Sequence, residues 1–429
     1  MKFNKFLLSI LAVIFVFGAL IVGCTPADDN VQENPTENDQ PNASEDPATE
    51  PEPSTDSETL RVAFGMAETE WDLFNNEILP AFEAETGIKV EAVELKAGDL
   101  INSLTAQVES GQITIDMFAQ DINNLSGLVT RDLVEDLSTY NEKIPEAVIE
   151  GMMEATEFDG KRLFLPYRPN VEIAFYNENK FNELGLEVPT TWEELLNVAK
   201  ATKDLTGQGR VAIKANLQAD NILHMFDFIK QAGGDPYTLN DEGSVQAFEF
   251  LQELYPYLNE QSSTAAWDTM NEYLLKDSVY LGTNWPFYIP EFHNQGKDEI
   301  KAYSGWSGPV KESHVLGGEV IGIPKGSTKV ESAIQFAEFL MSKDVQELLV
   351  SELAWPSVRS DAYGLVQGYQ EPYFEAIKEA LNSAEPRGNE PYWADAEPIY
   401  LEVFQKIVVN GEDVKTTLDG AAEQLNALK

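Results

Sequence analysis

The 429-residue sequence is poor in the residues that most often do chemistry. It has one cysteine, Cys24, and three histidines, His224, His293 and His314. A single cysteine excludes disulfides within the chain and any cysteine-rich metal site. The histidines stand far apart, with neither metal-type nor triad spacing, so surface or capping roles are expected of them. No phosphate-cradling loop, dinucleotide-type glycine pattern or solenoid repeat is present, and neither a cofactor nor a metal is expected. Basic residues are scarce: 29 Lys and Arg stand against 73 Asp and Glu, for a formal net charge of -44. Such a surface repels phosphate backbones and no basic cluster offsets it, which argues against nucleic acid as a partner. A solvated acidic shell is the plainer reading of the charge. What the chain has in quantity is apolar residues, 43% with 10% aromatics. Its length is too great for one ordinary core, so two domains are expected.

Lys2 and Lys5 precede a charge-free, largely apolar run from Phe6 to Val22. A basic start followed by such a run reads as a secretory leader, and a retained membrane anchor is the competing reading. Leu20-Ile21-Val22-Gly23-Cys24 ends the run and resembles the lipobox of bacterial lipoproteins. That resemblance implies cleavage after Gly23 and a diacylglycerol on Cys24, holding the protein at the outer face of the cell membrane. Residues 24–58 then read as a disordered tether. Beyond Cys24 the segment holds six prolines, eleven acidic residues, no basic residue and no aromatic, too little apolar surface to offset its ordering entropy.

From Leu60 onward the periodicity alternates. Leu60 to Phe64 reads as a strand. Glu70 to Glu85 reads as a helix, with Trp71, Leu73, Phe74, Ile78, Leu79 and Phe82 on its buried face, stopped by Gly87. Ile88 to Leu95 reads as a strand, Leu100 to Ser110 as a helix and Ile113 to Ala119 as a strand. This order implies a parallel sheet covered by helices, with ligands beyond the carboxyl ends of its strands. The loop that runs up to Glu70 and the loop containing Gln120 and Asp121 fall at that edge. Further on, Leu163 to Pro166, Val171 to Tyr176, Val211 to Ala215, Val279 to Thr283 and Gly318 to Pro324 read as strands. Thr191 and Glu194 form a capping-box pattern at the start of one of the intervening helices.

Several segments resemble the family 1 extracellular solute-binding proteins, which include the maltose-binding type. They are Phe82 to Val90, Asp116 to Asp121, Leu165-Pro166-Tyr167 with Phe175-Tyr176-Asn177, Val188 to Ala199, and Gly317-Gly318 with Ala333 to Leu340. The resemblance implies an α/β, two-lobed periplasmic-binding-protein (type II) fold with a hinge and an interlobe cleft. Lobe one is expected over residues 59–167 and 317–363, lobe two over 171–308 and 370–429. The implied function is capture of a sugar or oligosaccharide for the permease subunits of an ABC importer, by a monomer that is not an enzyme.

A sugar site needs hydrogen-bonding groups around flat rings. Asp121 matches the family position of a sugar-binding acid, with Gln120 beside it; a helix cap is its plain structural alternative. Glu70, Arg168 and Asn170 are further polar candidates, and Asn170 stands where the maltose-binding type has a glutamate. Gln218 belongs to a stretch that resembles a lobe-two loop, and Asp220 and Asn221 follow it toward the cleft. Trp285 occupies the approximate position of a stacking tryptophan, with core packing as its alternative. Trp306, Tyr392 and Trp393 are weaker aromatic candidates, and Arg387 resembles an arginine of some disaccharide-binding relatives. Two rivals remain at this level: a binder of another solute such as a polyamine or iron, and a secreted glycosidase with two placed carboxylates.

Overall fold

The computed structural model describes residues 58–429 except 67, 96, 218–222 and 387–389. The expected leader, Cys24, nearly all of the expected tether, and the candidates Gln218, Asp220, Asn221 and Arg387 lie outside the described residues. No helix among the described residues is long and apolar enough to cross a membrane.

Strand β1 (Thr59–Phe64) has Leu60, Val62, Ala63 and Phe64 buried, as expected of a strand covered on both faces. It pairs in parallel with β2 (Lys89–Glu94) and β3 (Met117–Asp121). The connecting helix runs from Glu68 to Thr86 with one wide turn at Phe74–Ile78, where the Leu79 N–H reaches back five residues to the Phe74 carbonyl. Pro80, which has no N–H to give, follows directly. Gly87 ends the helix at φ 75°, donating to the Glu83 carbonyl. Strand β3 begins later than its apolar run implies. The Gln107 side-chain oxygen accepts the N–H groups of Thr114 and Ile115 and so holds them off the ladder.

After the small hairpin β4 (Glu157–Phe158) and β5 (Lys161–Arg162), strand β6 (Leu165–Val171) belongs to the first sheet. One residue later, β7 (Ile173–Asn177) is in a second sheet. That sheet also contains β8 (Val211–Ala212), β9 (Leu281–Asn284) and β10 (Ile300–Tyr303), in the order β10-β7-β9-β8. The chain returns through β11 (His314–Gly322), which runs antiparallel to both β3 and β6, and β12 (Ala384–Pro386) adds beside it. The first core gathers Phe64, Phe74, Phe82, Phe118, Tyr167 and Phe336 around the first sheet. The second gathers Trp192, Phe226, Phe248, Tyr400 and Phe404 beside the second sheet. A smaller cluster, including Val171, Ile173, Phe175, Tyr373 and Phe374, lies where the crossing strands meet helix Glu371–Asn382. The helix at Trp192–Thr206 is capped by the Thr191 hydroxyl, while its Glu194 carboxylate reaches past Thr191 to the N–H of Thr190.

Candidate functional site

The crossing strands and the loops beside them enclose a cleft of about 460 Å³. From the first sheet come Asp121 at the end of β3 and Glu70 in the helix that follows β1, both at carboxyl ends of parallel strands. Arg168 and Asn170 project from β6, and Gly317, Gly318 and Glu319 belong to β11. From the second sheet's side come Trp285 and Phe287, just after β9, and Trp267 from the loop before helix Thr269–Leu275.

A β-bulge aims two of these side chains. Glu319 pairs with Arg168, but its neighbour Val320 pairs with Pro166, so Tyr167 is the extra residue. Tyr167 turns into the core, stacked on Phe64 at 6.0 Å, while Arg168 faces the cleft. Close strand approach is possible because residue 318 is glycine, at φ 115°; a Cβ there would lie 2.0 Å from the Arg168 carbonyl oxygen.

The Arg168 guanidinium lies 3.8 Å from the centre of the Trp355 ring. One of its nitrogens is 3.5 Å from a Glu70 oxygen and 3.7 Å from a Glu319 oxygen. Trp355 Nε1 donates to the same Glu70 oxygen at 2.8 Å. Asp121 accepts from the Asn123 N–H at 2.7 Å, so the cap reading holds together with its place in the cleft. Two carboxylates, Glu70 and Glu319, thus flank one guanidinium, and a third, Asp121, lines the same cleft. Burial pushes the Glu319 carboxyl up to about 7; Asp121 and Glu70 push the same way, and Arg168 opposes them.

That shift has a sign for stability. Between the ordinary value of 4.5 and about 7, the folded state holds a proton that the unfolded chain has released. The resulting stabilisation is complete below the ordinary value and is lost as pH rises through the folded one. Glu319→Gln should therefore flatten the stability profile of the solute-free protein between about pH 5 and about pH 8. We expect the two profiles to diverge by on the order of 1–2 kcal/mol, after allowing for the 22% exposure of the Glu319 side chain. Urea denaturation across this range checks it; parallel profiles would reject the assignment.

On the opposite wall, the outer edge of the Trp285 indole packs on Gly317, where a Cβ would come within 2.7 Å of the ring. Trp267 is 45% exposed and meets Phe287 edge-on at 5.8 Å. Its loop is pinned by Asn284, whose amide donates to the Trp267 carbonyl at 2.8 Å and to Asn271 at 2.9 Å.

The cleft thus brings together five residues singled out from the sequence: Glu70, Asp121, Arg168, Asn170 and Trp285. Gln120 is buried next to it, its side-chain oxygen accepting the Asp121 N–H. Trp306 and Trp393 are both buried in the second core, Trp393 against Phe226 and Tyr400. Tyr392 lies in a separate surface hollow with Asp235 and Glu390. None of these three lines the cleft. Only His293 fits the expected surface role, paired with Asp298; His224 and His314 are buried around an internal cavity of about 20 Å³. Among the described residues, no group of three or more His, Cys, Asp or Glu is placed to hold a metal ion.

Sequence reasoning missed Glu319, Trp267 and Phe287. Glu319 had a readable signal: it is the one charged residue in the otherwise apolar or small run Val315 to Pro324, where a strand covered on both faces would not carry it for packing. Trp267 had none, because a single aromatic in a short loop is compatible with any environment.

Comparison with known proteins agrees with this architecture. The family described as "bacterial extracellular solute-binding protein" matches residues 77–372. A probable amino-acid ABC transporter periplasmic-binding protein of Sinorhizobium fredii is 22% identical, over 80% of this chain and 82% of its own. The arabinooligosaccharide-binding protein of Bacillus subtilis is 21% identical over 64% of this chain and 67% of its own. Among solved structures, an ABC transporter solute-binding protein of Thermotoga lettingae, bound with alpha-D-tagatose, superposes with a TM-score of 0.73. It shares 20% identity, and the match covers 87% of this chain and all of that one.

Proposed function

The chain belongs to the bacterial extracellular solute-binding proteins, and on that premise we propose that its cleft captures a sugar or oligosaccharide outside the cell and delivers it unaltered to an ABC importer. The observation that carries this reading is the pairing of opposed walls. One presents carboxylate, guanidinium and amide groups; the other presents Trp285, Phe287 and the exposed Trp267. Sugars offer hydroxyl rims and apolar faces, and this arrangement complements both. The sugar-named relatives support the choice of solute.

The proposed lobes, 59–167 with 317–363 and 171–308 with 370–429, close on the solute about the crossing strands. Closure excludes water and strengthens each polar contact. It also creates the shape that permease subunits recognise. The protein acts as a monomer without turnover of its solute.

A second reading has its own support: three acids against one guanidinium favour a cationic solute such as a polyamine. A thermal-shift screen against neutral sugars and polyamines separates the two. A solute at 100 times its Kd should add about 2.7 kcal/mol of stability. Stabilisation by a sugar without product formation is the expected result. Stabilisation by polyamines alone would overturn the sugar assignment, and turnover of a sugar would make the protein a glycosidase.

The extracytoplasmic location follows from the family; the lipid anchor is part of the proposal. Cys24→Ser should move the protein from the membrane fraction to the medium or the soluble extracytoplasmic fraction. Undiminished membrane retention of that variant would reject the anchor.

A further inference from the structure

Behind the aromatic wall lies a buried charge. Lys214 follows β8, is 2% exposed, and does not line the cleft. Its ammonium is paired with Glu172, the single residue between β6 and β7, and stands 3.5 Å from the Asn284 side-chain oxygen. It also stands 5.3 Å from the centre of the Trp285 ring. Trp285 is half-buried and faces the cleft, whereas Lys214 is enclosed, so the ammonium occupies the protein side of the ring and the solute side is the other face.

An aromatic ring attracts a cation through the negative potential of its faces. A cation already held on one face draws on that density and repels a second positive charge approaching the other. A neutral CH group packing on the ring by dispersion is affected far less. A buried ion pair is also rarely the most stable way to fill a core, since well-packed neutral residues often do as well or better. The ammonium's place 5.3 Å from the ring centre therefore gives it an effect on the ring besides any part it has in packing. On the opposite wall, Glu70 and Glu319 already flank Arg168, and Asp121 holds the Asn123 N–H, so the acids there are partly answered from within the protein.

We propose that Lys214 is a specificity-determining residue, which keeps cationic groups off the solute face of Trp285 and so makes this platform selective for neutral rings. The proposal rests on the reading of the cleft as the solute site, and it deepens that reading by naming the charge class the platform accepts.

The test needs no identified solute. Caesium and iodide quench tryptophan fluorescence by contact and carry opposite charges, so their ratio reports the potential at a ring independently of its exposure. Subtracting the W285F and W267F proteins from wild type isolates the two cleft tryptophans. The caesium-to-iodide quenching ratio should be about threefold lower at Trp285 than at Trp267 in wild type. In the isoelectric double variant K214M/E172Q the gap should close to within about 1.5-fold, since the field of the ion pair, whose ammonium stands beside the ring, is gone while net charge is unchanged.

Equal ratios at the two tryptophans in wild type would overturn the proposal whether or not the double variant folds. So would a gap that persists in a folded double variant. If the solute screen instead finds only polyamines while the ratio behaves as expected, the sugar assignment fails but the platform's exclusion of cations stands. The cation must then bind elsewhere in the cleft.

Discussion

Gly318→Ala is expected to cost the protein at least about 3 kcal/mol of stability, since an added Cβ would meet its nearest neighbour more closely here than at any other described glycine. Two independent constraints meet at the position. The backbone is at φ 115°, where a side chain is strained whatever space surrounds it. The added carbon would also sit 2.0 Å from the Arg168 carbonyl oxygen and 2.9 Å from the Asn170 nitrogen, all backbone atoms that no rotamer change can move aside. Relief requires β6 and β11 to part, and these strands carry Arg168, Asn170 and Glu319 into the cleft. Solute binding should fail together with stability. Gly368→Ala is the control, because a Cβ there meets nothing within 4 Å and its φ is ordinary. Urea denaturation of both variants decides the matter; a Gly318→Ala protein as stable as the control would show that the strands do not approach as closely as described.

Trp285→Ala is expected to weaken solute binding by about 1–3 kcal/mol, roughly 5- to 150-fold, through lost burial and stacking. The fold should survive, since the ring lies at the cleft surface and its core-side neighbours are held by other means. Asn284 keeps its bonds to the Trp267 carbonyl and Asn271, and Lys214 keeps Glu172. Isothermal titration with the most stabilising solute from the screen measures the effect. Wild-type affinity in a folded variant would remove Trp285 from the site and return it to a packing role. The Gly317 contact bears on the same residue: with the ring edge seated on backbone, Trp285 is held in place before the solute arrives, which lowers the entropy lost on binding.

Much of the fold was legible because local rules and tertiary packing agree over long stretches. The helix-stop at Gly87, the cap at Thr191 and the parallel strands at β1 and β2 follow from backbone preference and apolar period alone. The polar wall was legible for a related reason. In a parallel α/β sheet the loops after the strands converge at one edge, so finding the strand ends located Glu70 and Asp121.

The aromatic wall was only partly legible. Trp285, Trp306 and Trp393 are the same residue type, yet the first reaches the cleft and the others fill the second core. A tryptophan is equally satisfied by a core or by a ligand face, and sequence period does not distinguish them.

By itself, then, the sequence determined the alternation of strands and helices, the excess of acidic residues, the single thiol at the end of an apolar run, and the edge where polar groups collect. Each is set by neighbours a few residues away. The tertiary structure alone decided that Tyr167 is the extra residue of a bulge, that Glu319 consequently meets Arg168, that Trp267 joins Phe287, and that Lys214 comes to rest behind Trp285. These contacts join segments far apart in the chain. Their geometry depends on strand register and on how two sheets share their crossing strands, quantities that no local pattern of residues encodes.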